Sequence, residues 1–167
     1  MLGKSPESDV CFLRRTILES IHQLVAGDSS IKLLTIQISL GDTQSLFNKT
    51  ISKIIITLGG GDITSQLIKI LSHLENIKLS HQLHIKVITG HSDKVLLTKM
   101  ANNLSCKVEL IPFINNMSEA IQWADLAIAG AGTTLYEVLY LGIPVLICVL
   151  SDNQITSGYK AIQLQMG

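Results

Sequence analysis

The chain has 167 residues, enough for one domain; two Rossmann-like domains would need about 300. Hydrophobic residues make up 47% and charged residues 16%, a balance typical of a buried parallel sheet, and a domain of this size buries roughly 70% of its unfolded surface. Thirteen basic residues offset thirteen acidic ones, which excludes the electrostatic footprint of a nucleic-acid binder.

The start of the chain, Met1 to Asp9, has no apolar core and does not read as a signal peptide. Phe12 to Ala26 has helical spacing, Ile31 to Ile38 reads as a strand, and Gly41 to Thr50 is polar loop. Residues 1–50 are therefore expected to form a linker or partial element, with the domain proper at 51–167. From Lys53 the pattern becomes regular. Strands are predicted at Lys53 to Leu58, His84 to Thr89, Lys107 to Ile111, Asp125 to Ala129 and Val145 to Leu150. Helices are predicted at Ile63 to Leu74, Lys94 to Leu104, Met117 to Trp123, Thr133 to Leu141 and Gln154 to Gln165.

Strands that alternate with helices in this way imply right-handed βαβ units. The fold class expected is α/β, a Rossmann-like doubly wound parallel sheet. If the sheet follows the common 3-2-1-4-5 order, the first and fourth of these strands are neighbours and a crevice opens at their C-terminal ends. Both glycine-rich turns, Gly59-Gly60-Gly61-Asp62 and Gly130-Ala131-Gly132, follow those two strands. Topology and glycine placement thus point to one site.

The chemistry of the two turns suits a nucleotide. Glycines let a backbone approach a ligand, and a helix N-terminus presents free N–H groups and partial positive charge to phosphate. Asp62 reads as an N-cap, and a tight capped turn is the plain alternative for that loop. It is neither a P-loop nor a GxGxxG fingerprint. In the second turn Thr133 or Thr134 would cap the helix or contact phosphate. Glu137, one turn further, would accept hydrogen bonds from both ribose hydroxyls; its plain alternative is a helix-start acid. Asn153 and Gln154, after the last strand, either bind nucleotide or sugar or cap a turn. Phe113 either packs by a base or belongs to the core. His91 lies at the crevice rim or is a solvated turn residue.

No nucleophile–His–acid set and no pair of carboxylates can be assembled from the spacing, so no catalytic residue is assigned. The histidines show no metal-ligand spacing, and no metal or cofactor is expected. Cys11, Cys106 and Cys148 are far apart; Cys106 and Cys148 read as core thiols in strands, which favours a reducing, cytoplasmic setting. The longest apolar stretch, Val138 to Leu150, contains Gly142 and Pro144 and falls short of the ~20 residues of a membrane span. The mean hydropathy of +0.39 is high for a soluble domain and fits a missing partner surface.

The string from Gly130 to Pro144, with Gly59–Asp62 before it, resembles the C-terminal nucleotide-sugar-binding half of GT-B enzymes, the glycosyltransferase family 28 C-terminal type. Further motifs are Asn116-Met117-Ser118-Glu119, Ala124-Asp125-Leu126-Ala127-Ile128, Thr133-Thr134-Leu135-Tyr136-Glu137 and Asp152-Asn153-Gln154. These are similar to the UDP-sugar hydrolases of nonulosonic acid synthesis and to spore-coat polysaccharide proteins. The match covers about residues 53–160; before it, only Phe12-Leu13-Arg14-Arg15 resembles the family's linker. The resemblance implies a UDP-sugar as ligand, held by Gly59, Gly60, Gly61, Asp62, Gly130, Ala131, Gly132, Thr133, Thr134, Glu137, Asn153 and Gln154. It further implies a catalytic histidine in a GxGH loop of an N-terminal domain or partner subunit, a loop this sequence lacks. The expected role is the UDP-binding half of a UDP-sugar hydrolase. The alternatives are a GT-B glycosyltransferase half and a non-catalytic partner subunit.

Overall fold

The computed structural model describes residues 32–36, 51–75 and 82–165. The helix expected at Phe12 to Ala26, the loop at Gly41 to Thr50 and Cys11 lie outside the described residues. In chain order the elements are β1 (Lys32–Ile36), β2 (Lys53–Thr57), α1 (Thr64–Glu75), β3 (His84–Ile88), α2 (Lys94–Asn103), β4 (Lys107–Ile111), α3 (Met117–Gln122), β5 (Leu126–Gly130), α4 (Thr133–Tyr140), β6 (Val145–Val149) and α5 (Asp152–Gln165). The sequence-based boundaries agree to within one or two residues from β2 onward.

The six strands form one sheet in the order β1-β6-β5-β2-β3-β4. Strands β2 to β6 pair in parallel, as the alternation of elements requires. Strand β1 adds to the far edge antiparallel to β6, from Lys32 opposite Val149 to Ile36 opposite Val145. The segment before residue 50 therefore contributes an edge strand to the same sheet.

Alternate residues of the apolar strands feed opposite faces. Ile54, Ile56, Leu58, Ile85, Val87, Ile128 and Cys148 pack with Leu67, Leu71 and Leu97 of α1 and α2. Ile55, Ala127, Ala129 and Ile147 pack with Ile121, Leu135 and Val138 of α3 and α4. The small side chains of Ala127 and Ala129 leave room for α4 to lie close against the strands.

Polar contacts set the element ends. The Asp125 carboxylate accepts the backbone N–H groups of Ser52 (3.1 Å) and Lys53 (2.9 Å), aligning the starts of β2 and β5. Asp93 caps α2 through the N–H groups of Val95 and Leu96, and Asn116 caps α3 through that of Glu119. Helix α4 closes with the N–H of Ile143 donated to the Val138 carbonyl, a Schellman-type bond before Pro144.

One reading needs correction, and one open alternative closes. Cys106 precedes β4 rather than lying in a strand, and it is half-buried; Cys148 in β6 is buried, and burial pushes its thiol up to about 12. Phe113 is 69% exposed, so its core reading falls: it follows β4, the edge strand of the described sheet.

At the other end of the sheet, His84 stands edge-on to Trp123 at 4.9 Å, and the Lys86 ammonium lies 4.3 Å from that ring's centroid. His84 Nε2 is buried without a hydrogen-bond partner among the described residues; the Glu109 carboxylate, 3.7 Å away, is within ion-pair range only. Burial, reinforced by Lys107 and Lys86 and opposed by Glu109, holds the imidazole below its ordinary value of 6.5. The unfolded chain then takes up this proton first as pH falls. Stability contributed by neutral His84 is present above pH 6.5 and lost as pH drops through that value toward the lower folded-state value. Denaturant titrations from pH 7.5 to 5.5 should show this fall in wild type and a flatter profile in His84→Gln. Parallel profiles would count against it.

Candidate functional site

Order reversal in the sheet makes the site. The connection after β2 leads outward to β3, and the one after β5 leads the opposite way to β6, so the β2 and β5 loops part above neighbouring strands. The Gly59–Asp62 loop and the Gly130–Thr134 turn both leave from that crevice. The two strands touch at its base: a Cβ on Gly130 would fall onto the Leu58 carbonyl. Only glycine allows this approach of β5 to the end of β2. The next residue, Ala131, is buried and donates its N–H to the Cys148 carbonyl (3.2 Å).

The first loop is bare backbone. Gly59 has φ +137°, a conformation open to glycine alone, and among the described residues nothing lies within 4 Å of where side chains would project from Gly59, Gly60 and Gly61. The N–H groups of Gly60 and Gly61 have no hydrogen-bond partner among the described residues. Asp62 follows; it accepts the N–H (3.1 Å) and the hydroxyl (2.6 Å) of Thr64 through Oδ1. Those bonds, the hydroxyl's first, hold its carboxyl below the usual range, so it is ionised at neutral pH.

The second turn differs from the sequence reading in one respect. Neither Thr133 nor Thr134 caps α4. Both lie inside the helix; Gly132 is the N-cap, and no side chain closes the end. A glycine cap leaves the first N–H groups of the helix open, with open space beside Gly132 as well. Thr133 is exposed and Thr134 half-buried. Glu137 lies one turn on, exposed, opposite the buried Leu135, Val138 and Leu139. The helix is thus apolar toward the sheet and exposes Thr133, Tyr136, Glu137 and Tyr140 on its outer side.

A third loop, after β6, lies beside these. Gln154 Oε1 accepts the Leu150 N–H (3.0 Å), and Asn153 Oδ1 accepts the Ser151 hydroxyl. Their side chains therefore hold the turn into α5, the capping alternative of the sequence reading. On the opposite flank, the N–H of Gly90 donates to the Pro112 carbonyl (3.1 Å), and the rings of His91 and Phe113 meet edge to face at 5.5 Å. His91 is exposed in the turn after β3, as its solvated-turn reading had it.

The sequence reading missed a link between loops. Ser92 accepts the Ile63 N–H through its hydroxyl (3.2 Å), and Thr64 accepts the Asp93 N–H through its own (2.8 Å). The signal was there in the Ser92-Asp93 and Asp62-Ile63-Thr64 pairs at two helix starts, but nothing local says that they join each other.

The model of the glycosyltransferase family 28 C-terminal domain matches residues 54–158. The chain belongs to that family. The match takes in the parallel part of the sheet from Ile54 onward and the three loops between Gly59 and Gln154. Among curated proteins, one relative is an uncharacterized protein of Methanocaldococcus jannaschii, 32% identical over 64% of this chain and 22% of its own length. Two more are UDP-N-acetylglucosamine–N-acetylmuramyl-(pentapeptide) pyrophosphoryl-undecaprenol N-acetylglucosamine transferases. That of Geobacter metallireducens is 34% identical over 46% of this chain and 21% of its own; that of Blochmanniella floridana is 27% identical over 78% and 31%. The chain thus spans a third or less of the length of these relatives. No solved structure matches. Among the described residues, no helix of this family 28 domain is long and apolar enough to cross a membrane.

Proposed function

We propose that this chain binds the UDP part of a nucleotide-sugar as the C-terminal half of a GT-B glycosyltransferase. The observation that carries the reading is the meeting, at one crevice, of two N–H sources that no side chain caps. These are the Gly59–Gly61 loop and the glycine-capped start of α4. A diphosphate suits both, since each offers donors and the helix adds positive potential. Gly60, Gly61, Gly132, Thr133 and Thr134 would hold the diphosphate, and Glu137 the ribose hydroxyls. Gly59, Gly130 and Ala131 set the backbone path, and Asp62, Asn153 and Gln154 border the ligand. Exposed Phe113 offers a flat apolar face to the base.

In the reaction this half would stabilise the departing UDP, whose charge grows as the bond to the anomeric carbon breaks. The group that activates the attacking hydroxyl would come from a further domain or subunit. The named relatives are transferases, which favours transfer to an acceptor over the hydrolysis suggested by the sequence resemblance. Hydrolysis remains the second reading, on the Asp152-Asn153-Gln154 and Asn116–Glu119 motifs.

Calorimetric titration of the chain with UDP, GDP and inorganic phosphate tests the proposal. Saturable UDP binding, tighter than either control, and no turnover of a UDP-sugar by the chain alone are expected. Equal affinity for all three would reduce the crevice to a general anion site, and turnover would place catalysis within this chain.

A further inference from the structure

The Gly59–Gly61 loop has no side chains with which to hold itself, yet a phosphate site needs its N–H groups fixed in direction. Its left-handed start and open flanks leave the neighbouring β3–α2 turn as support. That turn meets the loop at three points. Gly90 lies beneath it, where a Cβ would come within 3.4 Å of the Gly59 carbonyl oxygen and of Gly60 Cα. The Ser92 hydroxyl takes the Ile63 N–H at 3.2 Å, just past the loop. The Thr64 hydroxyl acts twice: it accepts the Asp93 N–H at 2.8 Å and donates to Asp62 Oδ1 at 2.6 Å.

These bonds run as a chain from Asp93 through Thr64 to Asp62. Asp93 is itself fixed as the cap of α2, accepting from Val95 (2.9 Å) and Leu96 (3.0 Å). Hydrogen bonds in series that end on a carboxylate strengthen one another. They also keep the Asp62 charge, which would repel a diphosphate, engaged with Thr64. We propose that Thr64 and Ser92 are positioning residues that hold the Gly59–Gly61 loop in its anion-accepting form by tying it to the β3–α2 turn. The proposal rests on the reading of this crevice as the UDP site; the loop's rigidity can be measured without it.

The test has two arms on the full chain: calorimetry with UDP, and amide relaxation of Gly60 and Gly61 by NMR without nucleotide. In wild type the Gly60 and Gly61 order parameters should approach the ~0.85 of rigid backbone, and in Thr64→Val fall toward the ~0.6 of flexible segments. UDP affinity should drop about tenfold in Thr64→Val, the size expected for loss of a hydrogen bond to a charged group. Thr64→Ser, which keeps the hydroxyl, should restore both. A Thr64 that served only general stability would lower the melting temperature and leave these two amides as rigid as before. Ser92→Ala breaks the second tie and carries the same comparison if Thr64→Val fails to fold. Order parameters at the wild-type value in both variants would overturn the proposal, as would unchanged UDP affinity with a wild type that binds. If wild type binds no UDP, the proposed function falls, and the relaxation arm alone decides whether Thr64 and Ser92 position the loop.

Discussion

Gly130→Ala is expected to be the most destabilising single-methyl change in the crevice. The added Cβ would meet the carbonyl of Leu58, which is backbone and has no rotamer to yield. Relief requires β5 to move from β2, and these neighbours lie in the middle of the sheet with apolar residues on both faces. Overpacking in a close-packed interior costs about 1–3 kcal/mol where side chains can adjust; against fixed backbone, about 3 kcal/mol or more is expected. For a domain of this size that is a fall in Tm on the order of 10 °C, read by calorimetry or circular dichroism. Gly132→Ala is the control: its Cβ would enter open space, and stability should stay within about 1 kcal/mol. A Gly130→Ala protein that melts with wild type would mean that the two strands lie further apart than described.

Glu137→Ala should leave the fold intact and remove ribose recognition. The side chain is exposed on the solvent face of α4, and alanine is the better helix former. A carboxylate that bonds both ribose hydroxyls makes two charge-assisted hydrogen bonds, and losing them should weaken UDP about 100-fold. The contrast with 2′-deoxy-UDP makes the assignment specific. Wild type should prefer UDP to the deoxy analogue, and Glu137→Ala should bind the two alike. A variant that keeps the wild-type preference would put the ribose elsewhere and leave Glu137 as a helix-start acid.

The fold was legible because the strands are apolar on both faces. Runs such as Lys53 to Leu58 and Val145 to Leu150 can hardly be anything but buried parallel strands, and capping residues such as Asp93 and Asn116 mark helix starts within the sequence itself. What one loop does to another was not legible. The bond from Asp93 to Thr64 joins residues 29 apart, and its existence depends on β2 and β3 ending side by side. The capping of α4 was misjudged because threonine is a good cap by type. The helix starts at Thr133, where the sequence pattern also starts it, so Gly132 takes the cap position and both threonines lie inside the helix. Phe113 was open between base and core because an aromatic residue after a strand suits either. Its exposure follows from the position of β4 at the sheet edge, which composition does not encode.

Strand β1 has a consequence for how the chain is made. Its partner among the described strands, β6, emerges more than a hundred residues later. At a synthesis rate of ~5–20 residues per second, β1 waits on the order of 10 s before that partner exists. During that interval Lys32 to Ile36 is a ready template for foreign strands. The parallel strands β2 to β5 can assemble meanwhile, so attachment of β1 is a closing event that records that β6 has been built. A ribosome stalled before Val145 would release a chain with its sheet begun and its first strand still seeking a neighbour.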